Sequence, residues 1–174
     1  MDNNELNEIL DKHRKWLYRE EGGARADLSR SDLRGRYLRH SDLRHSDLRE
    51  ADLSGSDLSY SNLRGSDLCY SNLRHSDLSY SILSYSNLRH SDLREADLDC
   101  GTWPLWCGSL EAYVDDRIAI QLLYHTLSVV QHSPYVSDEL KRALLTPGNI
   151  DAANRFHRVE ECGRLEVYDN GNTI

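Results

Sequence analysis

The chain has 174 residues, of which 39% are apolar and 29% charged, and 21 Lys and Arg stand against 29 Asp and Glu for a formal net charge of -8. No window approaches the roughly 18 consecutive apolar residues of a membrane span, and the N-terminus lacks the basic start and apolar run of a secretory signal. We therefore expect a cytoplasmic protein without membrane contact. The acidic balance argues against direct binding of nucleic acid or anionic lipid. Four cysteines in a chain of this length do not indicate a disulfide scaffold.

The first predicted element is an amphipathic helix over residues 4–20, within an N-terminal segment that spans 1–23. Its apolar face is formed by Leu6, Ile9, Leu10, His13, Trp16 and Leu17, which recur at helical spacing. Gly22 and Gly23 are expected to end the helix. We interpret this helix as a cap on the repeated segment that follows, with Trp16 as a cap residue.

A strict repeat of five residues occupies the segment 24–100. Leucine recurs fifteen times without exception, at Leu28, Leu33, Leu38, Leu43, Leu48, Leu53, Leu58, Leu63, Leu68, Leu73, Leu78, Leu83, Leu88, Leu93 and Leu98. Ser or Ala stands two residues before nearly every Leu, and Asp or Asn stands one residue before it. The sequence RHSDLREADL at 44–53 recurs unchanged at 89–98, which indicates internal duplication.

A period of five excludes both regular secondary structures. In an α-helix, which turns about 100° per residue, the leucines would scatter around the surface. In a continuous strand, successive leucines would point to opposite faces. A short extended segment followed by a turn in every unit directs all the leucines to one axis, with the small residue beside them and the Asp or Asn outside. The segment is therefore predicted to be an all-β solenoid with coils about 4.8 Å apart, although the period alone leaves open whether a coil has three or four sides.

These units follow the pattern A(D/N)LXX, and fifteen consecutive matches over 75 of the 174 residues strongly resemble the pentapeptide-repeat proteins. The resemblance implies a right-handed, four-sided β-helix of 20 residues per coil, hence about 3.75 coils and a rod about 18 Å long. The departures are Arg36 at an inward position, Tyr37 and Ile82 in place of Asp or Asn, and Ser at eleven inward positions. The inward hydroxyls are expected to bind backbone carbonyls, because an unpaired buried polar group costs about 1–3 kcal/mol.

The repeats are followed by an aromatic cap or linker and then by helices. The segment 101–108 is predicted to cover the second end of the rod through Trp103, Leu105 and Trp106, since an open coil end exposes unpaired backbone and the leucine stack. An α-helical module is predicted over 109–164, with helices at 109–131, 137–146 and about 149–162. Residues 165–174 are predicted to be a flexible tail. The complete prediction is an all-β solenoid with helical additions at both ends.

The sequence predicts no catalytic, metal or cofactor site. His-Ser-Asp occurs four times, at 40–42, 45–47, 75–77 and 90–92. In the solenoid the Ser points into the core while His and Asp point out, so no nucleophile–base hydrogen bond can form. The cysteines and histidines lack the paired spacing of metal ligands, and there is no Gly-rich phosphate loop.

One side of the predicted rod, that of Leu38, Leu58, Leu78 and Leu98, gathers acidic and aromatic residues. Its candidates for partner binding are Asp57, Asp77, Asp97, Asp99, Tyr60 and Tyr80, and Tyr85 and Ile82 extend them onto the next side. Only Arg39 offsets the four acids. Exposed aromatic residues are favoured interface anchors, although stacked Tyr and Asp could also serve only to hold the coils together. Tyr37 either extends this surface or packs beneath the N-terminal helix.

Two non-enzymatic functions are compatible with the sequence. The first, which we favour, is a protein-binding scaffold that inhibits or adapts a bacterial or phage-target protein through its β-helix faces and C-terminal helices. The second follows from the resemblance, which implies a DNA mimic that binds a type II topoisomerase such as gyrase, or a nuclease of a host defence system. Mimicry needs about one negative charge per 1.7 Å, whereas the segment 24–98 carries ten Asp and two Glu against eleven Arg. The resemblance also implies a homodimer formed through the C-terminal helices.

Overall fold

A computed structural model describes residues 1–99, 101–102, 112–155 and 164–166. The chain divides into two compact units, Met1–Val114 and Asp115–Ile174. None of the helices in these described ranges combines the length and the apolar character that crossing a membrane would take. The proposed cap residues Trp103, Leu105 and Trp106 lie outside the described residues.

The repeats of the first unit stack at an interval of 20 residues. From Asp27 to Ile82, parallel bridges join the residue before each Leu to the residue 20 positions later, as in Asp27 with Asp47, Tyr37 with Asp57 and Ile82 with Thr102. In each step the Leu amide donates to the following coil, for example from Leu28 to the Asp47 carbonyl at 2.8 Å, and the following coil donates back from Asp47 to Ala26 at 3.0 Å. Four units of five residues therefore make one coil.

Each unit whose last residue the structure describes ends in a residue with a positive φ. Eleven non-glycine residues occupy this last position at φ between 56° and 62°: Arg30, His40, His45, Glu50, Tyr60, Tyr70, His75, Tyr80, Tyr85, His90 and Glu95. Gly35, Gly55 and Gly65 occupy the same position elsewhere. A left-handed residue other than Gly costs roughly 1–2 kcal/mol. The chain therefore carries large side chains at corners where Gly would relieve backbone strain, which sets them outward in columns along the rod.

The fifteen repeat leucines form the core, each with at most 1% of its surface exposed. Ala26, Ala51 and Ala96 and most inward serines are buried beside them. Six of the serine hydroxyls donate to the carbonyl three residues earlier at 2.6–2.8 Å, namely those of Ser46, Ser56, Ser66, Ser76, Ser86 and Ser91. The expected bonding to backbone carbonyls thus applies to these positions. Ser61, Ser71 and Ser81 differ, because their buried hydroxyl oxygens have no hydrogen-bond partner among the described residues.

The N-terminal helix, α1, spans Asn3–Leu17 and begins with Asp2, whose side chain accepts from the Glu5 amide at 2.8 Å. It ends earlier than the predicted residue 20, because Tyr18 caps it and Arg19 turns the chain with a φ of 59°. The predicted stop at Gly22 and Gly23 is therefore wrong. Gly23 is needed for a different reason. The chain passes close to the helix there, and a Cβ at this position would collide with the backbone of Trp16.

Contacts at both ends of α1 hold it on the first coil. His13 is fully buried and accepts the Ala26 amide at 3.0 Å, and the Lys12 carbonyl accepts the Ala24 amide at 3.0 Å. At the other end, the Arg36 guanidinium donates to the Met1 carbonyl at 2.6 Å and to the Asn3 side chain. Arg36 therefore fits a position otherwise kept for small residues, because its side chain reaches the N-terminus of the helix.

Tyr37 does not pack beneath the N-terminal helix. Its side chain is 91% exposed, while its backbone pairs in register with Asp57. The residue that contacts the N-terminal helix is the neighbouring Arg36 and not Tyr37. Tyr37 is thus the first residue of the ladder that continues through Asp57 and Asp77.

Three helices make up the described part of the second unit. They are α2 (Asp116–His132), α3 (Asp138–Leu144) and α4 (Pro147–Ala153). Their core is formed by Tyr124, Leu127, Val130, Leu145, Ile150, Ala153 and Leu165. Each helix begins with a side-chain cap, from Asp115, Ser137 and Thr146 respectively, which satisfies an otherwise unpaired amide of the first turn.

Three predicted boundaries of this module need correction. The first helix does not begin at 109, because Tyr113 still pairs with Asp92 of the solenoid and Asp115 caps α2. The third helix begins at Pro147 instead of about 149, since Pro fits the first turn where no amide partner is needed. The tail prediction fails at Leu165, which is 4% exposed and exchanges two hydrogen bonds with the Asn154 side chain at 2.8 and 2.9 Å.

Candidate protein-interaction surface

Aspartate in the repeats first serves the turn of its own unit. Its Oδ1 accepts the amide two residues later, at 3.0 Å in Asp57 and 2.9 Å in Asp77. Asn does the same at Asn62, where the Arg64 amide donates at 3.2 Å. The turn therefore needs an oxygen acceptor and not a charge, so the choice of Asp over Asn is open to function.

On several units the carboxylate is also neutralised within the turn. Asp32, Asp42, Asp47 and Asp92 each receive two hydrogen bonds of 2.5–2.8 Å from the Arg two residues later. The side-chain hydrogen bond from Arg49 lowers the pKa of Asp47, and that from Arg94 lowers the pKa of Asp92. These carboxylates stay ionised, but each forms an ion pair with the Arg of its own unit, so little negative charge remains for a partner.

Two other Asp side chains accept a hydrogen bond from an Asn side chain of the next coil. The Asn72 side chain donates to Asp52, and the Asn87 side chain donates to Asp67, both at 3.0 Å. An Asn one coil below an Asp thus replaces like-charge repulsion with a hydrogen bond. No such Asn stands below Asp57, because Asp77 occupies that position.

Asp57, Asp77 and Asp97 follow one another in adjacent coils, each bridged to the next. We call the surface made by Asp57, Asp77, Asp97, Asp99, Tyr60 and Tyr80 the acidic face. The residues two places after Asp57 and Asp77 are Ser59 and Ser79 instead of Arg, and that after Asp97 is another acid, Asp99. The hydrogen bond from the Ser59 side chain lowers the pKa of Asp57, and the charges of Arg39 and His40 lower it further, which keeps it ionised at neutral pH.

The two arginines on this side of the rod already contact other groups of the chain. Arg36 binds the start of α1, and Arg39 lies over the Tyr60 ring at 4.8 Å from its centroid. From residue 56 to 99 this side contains no Lys or Arg. The sequence prediction that acids and tyrosines share one side therefore matches their placement, with the charge concentrated in the last coils.

A continuous aromatic stack borders the acids. The rings of His40 and Tyr60 lie 5.1 Å apart, and those of Tyr60 and Tyr80 lie 4.7 Å apart and nearly parallel at 5°. Tyr60 and Tyr80 remain 44% and 46% exposed. Stacking along the rod fixes the ring orientations before any partner arrives, so binding would cost little side-chain entropy.

The two candidates on the next side are exposed as well. Tyr85 is 67% exposed and has the Arg64 guanidinium 5.1 Å from its ring centroid, and Ile82 is 39% exposed. Ile82 takes the ladder position of an Asp or Asn, between Asn62 and Thr102. These residues give the acidic face an apolar border.

The sequence interpretation overlooked a second stack. Tyr70 and His90 lie 4.7 Å apart at another corner, and Tyr70 is 62% exposed. Their separation of 20 residues was the available signal. This stack stands among the Arg–Asp pairs of Arg94 and Arg49, so it lacks the surplus of acids that marks the acidic face.

In three of the four His-Ser-Asp triplets the Ser hydroxyl is buried and directed away from the His. Ser46, Ser76 and Ser91 are at most 1% exposed, and their hydroxyls donate to backbone carbonyls. His45 and His75 face outward. Within the same described ranges, no three His, Cys, Asp or Glu side chains come close enough to hold a metal ion.

Comparisons with known proteins point to one family. Eight copies of the family pattern "Pentapeptide repeats" match residues 26–65 and 71–100. No curated protein matches the sequence significantly.

Several solved structures are similar to this chain. A pentapeptide repeat protein from the Arabidopsis thaliana thylakoid lumen has 22% identity, covers 69% of this chain and 71% of its own, and gives a TM-score of 0.47. A second pentapeptide repeat protein, from Nostoc, has 23% identity over 63% of this chain and 95% of its own, with a TM-score of 0.36. QnrB1, a plasmid-mediated fluoroquinolone resistance protein, has 22% identity over 57% and 63%, with a TM-score of 0.21.

The period of five, the 20-residue register and the family match agree on the same segment. Residues 26–65 and 71–100 of this chain are therefore pentapeptide repeats, and the parallel bridges 20 residues apart make them a β-helix solenoid.

Proposed function

We propose that the chain is a non-catalytic protein-binding scaffold, an inhibitor or adaptor that engages a bacterial or phage-target protein in the cytoplasm. The proposed contact is the acidic face with its border of Tyr85 and Ile82, assisted by the C-terminal helices. The observation that carries the proposal is the unequal treatment of the acids. The carboxylates of Asp32, Asp47 and Asp92 form ion pairs with the Arg two residues later. Asp57 and Asp77 have no such pair within their unit, because Ser stands at that position.

Like-charge repulsion and backbone strain favour this interpretation over a purely structural role. If Asp57 and Asp77 served only the turn, Asn would serve equally and would remove the repulsion between coils. If Tyr60 and Tyr80 served only the corner, Gly would remove the strain of their positive φ. Retaining charge and aromatic area at these positions costs stability, and an acidic aromatic surface is suited to a partner with a basic patch.

The first test compares charge removal on the acidic face with the same change elsewhere. Partners captured from a bacterial lysate on the tagged full chain are identified, and their binding to purified variants is measured by surface plasmon resonance. We expect the double variant Asp57→Asn/Asp77→Asn to reduce the association rate constant about tenfold at low salt, because it removes electrostatic steering. Asn keeps the Oδ1 acceptor, as Asn62 shows, so the fold is retained.

The matched control is Asp27→Asn/Asp52→Asn. The Asp27 side chain accepts from the Ser29 amide at 3.1 Å and hydroxyl at 2.7 Å, nearly as Asp57 does from Ser59 at 3.0 and 2.6 Å. Asp52 makes the same two bonds with Ser54 at 3.1 and 2.7 Å and also accepts from Asn72. The control therefore removes the same formal charge from two Asp-Leu-Ser turns on other sides of the rod. Equal losses of association rate in both double variants would show that net charge matters and the acidic face does not.

DNA mimicry is the second candidate, and the single file of acids from Asp57 to Asp97 is what favours it. The acids recur once per coil, about every 4.8 Å, whereas duplex DNA presents one charge about every 1.7 Å. The acidic face therefore supplies too few charges to replace more than a short stretch of duplex. A gyrase supercoiling assay tests this candidate: inhibition by micromolar protein that weakens with salt and is lost in Asp57→Asn/Asp77→Asn would support mimicry over the scaffold.

We also propose that the helical unit supports a homodimer. Val129 on α2, Tyr135 after it and Leu140 on α3 are 68%, 96% and 46% exposed. Sedimentation equilibrium of the full chain is expected to give twice the monomer mass of 20.1 kDa, and Val129→Lys is expected to shift it toward monomer. A monomer at all concentrations would remove the dimer from the proposal and leave the acidic face as the binding surface.

A further inference from the structure

His13 is the buried contact through which α1 meets the repeats. It has no exposed surface, and its Nδ1 accepts the amide of Ala26 at 3.0 Å. Trp16, one turn later, stacks on its ring with centroids 5.6 Å apart. Ala26 is the first inward residue of the solenoid, so this hydrogen bond fixes the C-terminal half of the helix to the first coil.

The geometry defines the protonation state of the ring. Because Nδ1 accepts a hydrogen bond, the single proton of the neutral ring lies on Nε2, which is buried and has no hydrogen-bond partner among the described residues. A second proton would have to enter at Nδ1, where it would face the Ala26 N–H. Protonation therefore removes the acceptor and sets two donors against each other.

The charges around His13 come from the first coil. Asp42 and the Arg44 backbone favour the charged ring, whereas the guanidinium groups of Arg25 and Arg44 oppose it. Asp42 is itself engaged by Arg44 at 2.7 Å, which weakens its support for a charged imidazole. Burial is the largest effect and lowers the pKa of His13 below its ordinary value.

We propose that α1 is a pH-operated lid, which leaves the first coil when His13 is protonated and stays closed when the ring is neutral. The N-terminal end of the helix remains held, because Arg36 binds the Met1 carbonyl and the Asn3 amide oxygen, neither of which titrates. The helix thus opens at its C-terminal half and pivots near Arg36. The interaction of the lid with the coil is fully present above the unfolded pKa of about 6.5 and is lost as the pH falls below it, since the open state binds the extra proton.

Opening exposes the end of the β-helix. Among the described residues, Asp27, Asp32 and Asp42 pair only with the coil that follows them, so their other edge has no strand partner there. Unpaired coil edges pair readily with another chain. The lid therefore controls whether this end of the solenoid is available, independently of the acidic face.

Hydrogen–deuterium exchange of the full chain tests the lid. Protection factors, corrected for the intrinsic effect of pH on exchange, are measured at pH 7.5 and 5.0 for residues 3–27 and for the coils at 46–78. We expect protection of 3–27 to fall at least tenfold at pH 5.0 while that of 46–78 stays constant. In His13→Asn, whose Oδ1 can accept the Ala26 amide without titrating, the fall should disappear, and in the control His40→Asn it should persist.

Unchanged protection of residues 3–27 in the wild type between the two pH values would overturn the proposal. So would a fall of the same size in His13→Asn. If that variant does not fold, nitrogen chemical shifts of the His13 ring in the wild type decide the matter. A ring that becomes doubly protonated while residues 3–27 keep their protection would equally refute the lid.

Discussion

Replacing Gly23 by Ala is expected to lower the free energy of unfolding by at least about 3 kcal/mol. A Cβ at this position would lie 2.4 Å from the backbone nitrogen of Trp16 and 2.7 Å from the Lys15 carbonyl carbon. Backbone atoms within a helix cannot rotate away, so the chain after α1 would have to separate from the helix. That segment also carries the hydrogen bond from Ala24 to Lys12. Urea unfolding of the full chain, followed by circular dichroism, measures the loss.

The neighbouring glycine provides the control for this experiment. Gly22 has a φ of 74°, and no atom lies within 4 Å of the place that an alanine methyl group would take, so Ala there meets backbone strain alone. We expect Gly22→Ala to cost about 1 kcal/mol. Equal losses in the two variants would mean that the close approach at Trp16 relaxes easily and that the lid is not tightly seated.

The position of the solenoid core follows from the sequence because one physical rule governs it. A residue that recurs every five positions and must be buried allows few backbone paths, and the repeat leucines from Leu28 to Leu98 are accordingly all buried. The number of sides did not follow from the period, since three-sided and four-sided coils both bury every fifth residue. It came from the family resemblance, and the bridges 20 residues apart agree with it.

The acidic face could be predicted once a coil of 20 residues was assumed. Residues 57, 77 and 97 then fall in one column, as do 60 and 80, without any knowledge of side-chain positions. What could not be predicted is which acids are neutralised. That depends on rotamers that let Arg49 reach Asp47, and on amides such as that of Asn72 reaching across to Asp52.

The ends of the solenoid were harder to predict because they obey no repeat. Arg36 looked like a charge forced into the core, yet it reaches the start of α1. For Tyr37 the pattern left two roles open, extending the acidic and aromatic side or packing beneath the helix, and its exposure excludes the second. The start of α2 was placed seven residues early because the apolar periodicity continues through Val114, whereas Tyr113 is held by strand pairing to Asp92. Tertiary hydrogen bonds override local pattern at such boundaries.

The triple variant Ser61→Ala/Ser71→Ala/Ser81→Ala is expected to raise the free energy of unfolding by about 3 kcal/mol, at roughly 1 kcal/mol for each unpaired hydroxyl removed. The three hydroxyl oxygens are buried without a hydrogen-bond partner among the described residues. Alanine fits the position, because Ala26, Ala51 and Ala96 occupy its equivalents with at most 1% exposure. Chemical denaturation of the full chain measures the gain, with an unchanged slope showing that the same surface is exposed on unfolding.

The matched triple Ser56→Ala/Ser66→Ala/Ser76→Ala should do the opposite. These hydroxyls donate to the carbonyls of Leu53, Leu63 and Leu73 at 2.6–2.7 Å, and losing each bond should cost about 1 kcal/mol. A shift in the same direction for both triples would show that side-chain volume or hydroxyl rotation, and not hydrogen bonding, decides the preference for Ser or Ala. Opposite shifts would show that an inward serine is stabilising only where its hydroxyl reaches the Leu carbonyl three residues earlier, because the surrounding leucine side chains supply no acceptor.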